Sequence, residues 1–143
     1  MLRAPGTAFV VVAAPEPDAL REASFFVDRL VEEEMPLAGV VVNRVHRTAV
    51  PRLNAAHALS AADDLDPGDT PDEAAMADPD AALAAGVLRL HAKRVSLQAA
   101  EERRIEGFVL AHPQVRMASV TAFAQDVHDL AGLRALASAL CEP

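Results

Sequence analysis

The chain has 143 residues, 52% of them hydrophobic, with a formal net charge of −8. That is enough apolar material for one domain with a real core, which excludes disorder throughout. The acidic balance excludes nucleic acid and anionic membrane as default partners, because both reward basic surface. Cys141 is the single cysteine, so neither an intramolecular disulfide nor a thiolate metal cluster can form; a reducing, cytoplasmic setting is expected. No stretch reads as a signal peptide or membrane span. A core-like run begins within ten residues of Met1, which fits either a true start or the later part of a longer protein.

Residues 7–14, TAFVVVAA, form an unalternated apolar run stopped by Pro15-Glu16-Pro17, as expected of a parallel strand covered on both faces. From 17 to 34 the period changes. Leu20, Ala23, Ser24, Val27, Leu30 and Val31 recur at helical spacing, Pro17 suits the first turn, and Pro36 forces an end. Residues 37–43 return to strand, so 7–43 make one βαβ unit with an expected right-handed crossover.

The signal then weakens. Asp63, Asp64, Asp66, Asp69, Asp72, Glu73, Asp78 and Asp80 are punctuated by prolines without a calcium-loop pattern, and a solvated loop or short helices are expected. Helical pattern resumes near Asp80 and runs to about Ala111, with a break expected at Gly86 or Gly107. Arg103 and Arg104 are placed to pair with Glu101, Glu102 or Glu106 at the surface. His112-Pro113 ends this segment, residues 115–120 read as a third strand, and residues 130–140 as a helix. Its stripe of Leu130, Leu133, Leu136 and Leu140 is expected to pack on the sheet.

The chemistry is sparse. The six glycines, at 6, 39, 68, 86, 107 and 132, compose neither GxxxxGK[ST] nor GxGxxG, so no phosphate-cradling loop is recognisable. No serine sits in a G-x-S-x-G elbow, and the five histidines form no paired metal motif. Asp126 with His128 is the one candidate acid–base pair. Asn43 closes the second strand at the edge where open α/β sheets place ligands. It has two readings: a local hydrogen bond that starts a turn, or an amide that accepts from and donates to a base edge such as adenine.

The order of segments in TAFVVVAAPEPDALREASFFVDRLVEEEMPLAGVVVNRV resembles the late part of the ArsA/Get3-like branch of P-loop ATPases. The resemblance implies an α/β fold: a partial parallel-sheet, P-loop-NTPase-like layer with a helical insertion between the second and third strands. Residues 1–44 and 113–143 would be the nucleotide-binding core portion, and 45–112 an acidic loop plus insertion. It implies ATP as ligand, with Asn43 and Arg44 at the base and the loop carrying Phe123, Gln125, Asp126, Val127 and His128 around base and sugar. His128-Asp129 stands where relatives carry Arg-Gly. The hydrolytic half, with its magnesium ligand, would lie upstream, so hydrolysis is expected only when that half is supplied. Expected partners are therefore the P-loop half, association through the sheet edge, or a helical client on the insertion. The alternative is a non-enzymatic α/β interaction module.

Overall fold

A computed structural model describes residues 6–65 and 78–141; Asp66, Asp69, Asp72 and Glu73 of the acidic stretch lie outside them. The elements are β1 (Phe9–Ala13), α1 (Pro17–Glu32), β2 (Leu37–Val45), α2 (Ala55–Asp64), α3 (Pro79–Ala111), β3 (Met117–Thr121) and α4 (Leu130–Cys141). The chain divides into two compact units, one holding the residues up to His46 and from Ala100 onward, the other Arg47–Ala99. This boundary falls inside α3, well before the 113 expected from the sequence.

The first unit is a small α/β layer. Its sheet is parallel, in the order β1-β2-β3, with Val11 beside Val40, Ala13 beside Val42 and Val40 beside Met117. One face carries the core: Ala13, Val40, Val42 and Val45 meet Leu20, Ala23 and Val27 of α1 and Phe108 of α3. The valine runs imply cover on both faces, yet Val10 and Val12 of β1 are 55% and 62% exposed. Among the described residues, α4 packs on β3, and β1 pairs with β2 alone. The leucine stripe of α4 also differs from expectation. Leu130, Leu133 and Leu140 are exposed, although α4 itself contacts β3.

Local chemistry explains the element ends. Pro17 stands in the first turn of α1, where a missing N–H costs nothing. The helix stops before Pro36 is reached: Met35 N–H donates to the Leu30 carbonyl at 2.8 Å and Glu34 N–H to the Val31 carbonyl at 3.0 Å. This closing turn puts Glu34 at φ 52°, a position normally given to glycine. Gly39 is demanded by packing, since a Cβ there would meet the Arg116 carbonyl oxygen at 2.6 Å.

α3 runs unbroken through Gly86 and Gly107, where the sequence predicts a break. Each glycine faces open space, so continuity costs only the glycine entropy, about 1 kcal/mol apiece. Beyond Ala100 its inward residues are Glu101, Arg104, Ile105 and Phe108, a 0-3-4-7 spacing that presents one face.

The second unit shows local order where the sequence signal is weak. The Asn54 side chain caps α2 by accepting His57 N–H at 2.8 Å. His91 donates from Nε2 to the Leu53 carbonyl (2.7 Å), and Thr48 N–H donates to Gln98 Oε1 (2.8 Å). Among its described residues, Ala58, Ala62, Ala85 and Ala92 are the buried apolar ones. Among the described residues no helix is long and apolar enough to cross a membrane.

Candidate functional site at the carboxyl ends of the strands

β2 does not end cleanly. Between Val42 and Val45 it advances three residues while β3 advances two, from Ser119 to Thr121, so β2 carries one extra residue. The excess is absorbed at Asn43-Arg44, with Arg44 at φ 61°. Asn43 Oδ1 accepts the Arg44 N–H at 2.9 Å, which stabilises the left-handed turn. The local role expected of a strand-end asparagine is thus filled; Oδ1 keeps a second lone pair and the amide NH2 keeps its donors. Bulges of this kind re-aim side chains at sheet rims and beside sites.

β3 is followed by a loop held to the same rim. Ala122 N–H donates to the Val45 carbonyl at 2.9 Å, fixing the start of the loop against the end of β2. Asp129 then caps α4, its Oδ1 accepting Gly132 N–H at 2.7 Å. Between these anchors lies a cavity of about 730 Å³, walled by Asn43 and Arg44, by Phe123, Gln125, Asp126 and Val127, and by Pro15 and Glu16 of the β1–α1 turn. Its size is that of a small-molecule site. Residues some eighty positions apart in sequence share it because parallel strands present their carboxyl ends at one edge.

Two further wall residues, His46 and Glu101, are absent from the sequence-based set. Glu101 is buried, its side chain 5% exposed. One carboxylate oxygen accepts the His46 backbone N–H at 2.8 Å and the other accepts from His46 Nδ1 at 2.7 Å. With both oxygens accepting, the proton sits on Nδ1, and Nε2 is the nitrogen left for other partners. Arg104 likewise departs from the expected surface pairing and donates to the Pro15 carbonyl at 3.2 Å. The signal that could have found Glu101 is its place on the same helical face as Ile105 and Phe108; a surface acid would sit elsewhere.

The remaining sequence candidates separate. Arg44 pairs with Asp126 at 3.6 Å, both side chains largely exposed. His128 lies outside the main cavity, in a shallower one beside Ala131 and Gly132, with Nδ1 2.8 Å from the Asp126 carbonyl oxygen. The expected Asp126–His128 pair is therefore not assembled side chain to side chain. Elsewhere, buried His112 meets Ser24 Oγ through Nε2 and lies 3.7 Å from Asp28 through Nδ1. The connectivity is that of a serine triad. Ser24 is in the interior of α1, however, where neighbouring N–H groups are spent on the helix and offer no oxyanion hole.

Among the described residues no group of three or more His, Cys, Asp or Glu side chains is placed to hold a metal ion. No protein-family model matches the chain, and no curated protein matches it.

Proposed function

We propose that the chain is the adenine-binding, carboxyl-terminal portion of an ArsA/Get3-like ATPase, binding ATP in the intact enzyme and unable to hydrolyse it alone. The observation that carries this reading is one cavity at the strand carboxyl ends bordered by both Asn43-Arg44 and the 123–127 loop. Phe123 and Val127 offer apolar surface to a base, and the Asn43 amide retains donors and a lone pair for its edge. No GxxxxGK[ST] loop is available in the sequence to neutralise phosphates, so binding by this chain alone is weak and hydrolysis needs the other half.

The test is a nitrogen-edited NMR titration of the purified chain with adenosine, ATP, guanosine and GTP. The expected result is a saturable shift of the 43–44 and 122–127 amides with adenine compounds, weaker with guanine ones, and no ATP turnover. Shifts absent from that rim, or equal for the two bases, overturn the base-reading role.

A second reading, a protein-interaction module, rests on a different observation. Leu83, Val87, Leu90 and Leu97 are exposed at helical spacing along α3 in the second unit. Saturable association with an amphipathic helical peptide, unaffected by Asn43→Ala and abolished by Leu90→Lys, would favour it.

A further inference from the structure

The cavity's charge inventory says which part of a nucleotide it suits. Glu16, Glu101 and Asp126 contribute three carboxyl side chains, against one guanidinium, Arg44, already paired with Asp126. An arrangement with acceptors in excess disfavours a polyanion and favours a neutral ligand that brings its own donors. Within it, His46 occupies a distinct position. Its ring is tied to buried Glu101 through Nδ1 and its main chain through N–H, so both ring and backbone are fixed. The side chain keeps a third of its surface open (33%) in the cavity wall, and the described residues give Nε2 no hydrogen-bond partner.

From this we infer that the His46–Glu101 pair is the hydroxyl-reading element of the cavity, binding the ribose diol of a nucleoside through His46 Nε2. The inference deepens the adenine reading and rests on it. A hydroxyl suits this nitrogen better than an amine or a phosphate oxygen does. It donates to neutral imidazole and accepts from imidazolium, so it satisfies Nε2 in either state, whereas an N–H group or an anion satisfies only one. Glu101 acts behind the ring: a carboxylate on Nδ1 fixes the tautomer and orientation and makes Nε2 a stronger acceptor. His46 is accordingly a binding residue and Glu101 a positioning residue.

The experiment titrates the full chain with adenosine, 2′-deoxyadenosine, 3′-deoxyadenosine and ATP, reading affinity from amide shifts and His46 directly from its imidazole nitrogen resonances. Adenosine should bind about fivefold more tightly than at least one deoxy analogue, the loss expected for a single neutral hydrogen bond. The Nε2 resonance should move with adenosine and less with that analogue. His46→Ala should erase the discrimination, His46→Gln, whose amide oxygen can reach the Nε2 position, should restore part of it, and Glu101→Gln should reduce it. ATP should bind no more tightly than adenosine. Equal affinity for all three nucleosides with a stationary Nε2 resonance overturns the hydroxyl assignment and leaves base reading intact; a tenfold preference for ATP, which carries the same diol, overturns the reading of the cavity as unsuited to a polyanion. Binding of none of the four overturns both. The wild-type Nε2 signal needs no variant, so it decides the matter even if His46→Ala fails to fold.

Discussion

Before Ala100, α3 exposes leucine and valine; beyond it, the same helix buries a glutamate. Leu83 and Leu90 are 68% and 66% exposed, whereas Glu101 is 4% exposed. Residue type alone would assign these positions the other way round. The difference follows from what each stretch packs against. Residues 101–112 present Glu101, Ile105, Phe108 and His112 to the sheet and α1, so their polar groups must find partners, and they do: His46 for Glu101, Ser24 for His112. Residues 83–97 belong to a unit whose buried apolar positions, among the described residues, are alanines, and Leu83, Val87, Leu90 and Leu97 are left exposed. A buried charge with two hydrogen bonds is therefore better evidence of a built site than an apolar stripe is.

The contrast can be broken most forcefully at Phe108. Phe108→Ala should cost about 3–4 kcal/mol through the cavity it leaves, while Leu90→Ala should stay within about 0.5 kcal/mol, both from urea unfolding midpoints. Similar losses for the two would mean that α3 is buried along its whole length. Next in size, Glu101→Ala strands the His46 N–H and ring and should cost about 2–3 kcal/mol; Glu106→Ala, on the exposed side, should change the midpoint little. If Glu101→Ala is equally silent, the pair with His46 contributes nothing to folding. A smaller effect of opposite sign is expected from the glycines. Gly86→Ala and Gly107→Ala each have open space for a Cβ and should each stabilise by about 0.5–1 kcal/mol in thermal unfolding. A gain at one and a loss at the other would reveal an unrecognised contact. Smallest in stability but sharpest in association, Val87→Lys with Leu90→Lys should leave the midpoint nearly unchanged and reduce any self-association seen by sedimentation.

Much of this architecture was legible from residue order. The valine runs bounded by Pro15 and Asn43 gave the first two strands, the 20-23-27 spacing gave α1, and the strand-end position of Asn43 pointed to the rim where the cavity lies. Period and punctuation are local properties, so they survive reading without a fold. The bulge was not legible, because Asn43-Arg44 is extra only relative to β3, more than seventy residues away. Nor was the exposure of Val10 and Val12, since a strand's two apolar faces look alike whether or not a second layer covers them.

The sequence by itself determined the three strands, α1 and α4, the absence of a phosphate-cradling motif and the candidate loop from Phe123 to His128; it did not show α2. Tertiary structure alone decided which members of that loop share a cavity with Asn43, leaving His128 aside, and brought in His46 and Glu101. The physical reason is that a hydrogen bond between residues 55 positions apart depends on the turn of a helix against a strand end, and neither segment records the other's position in its own pattern.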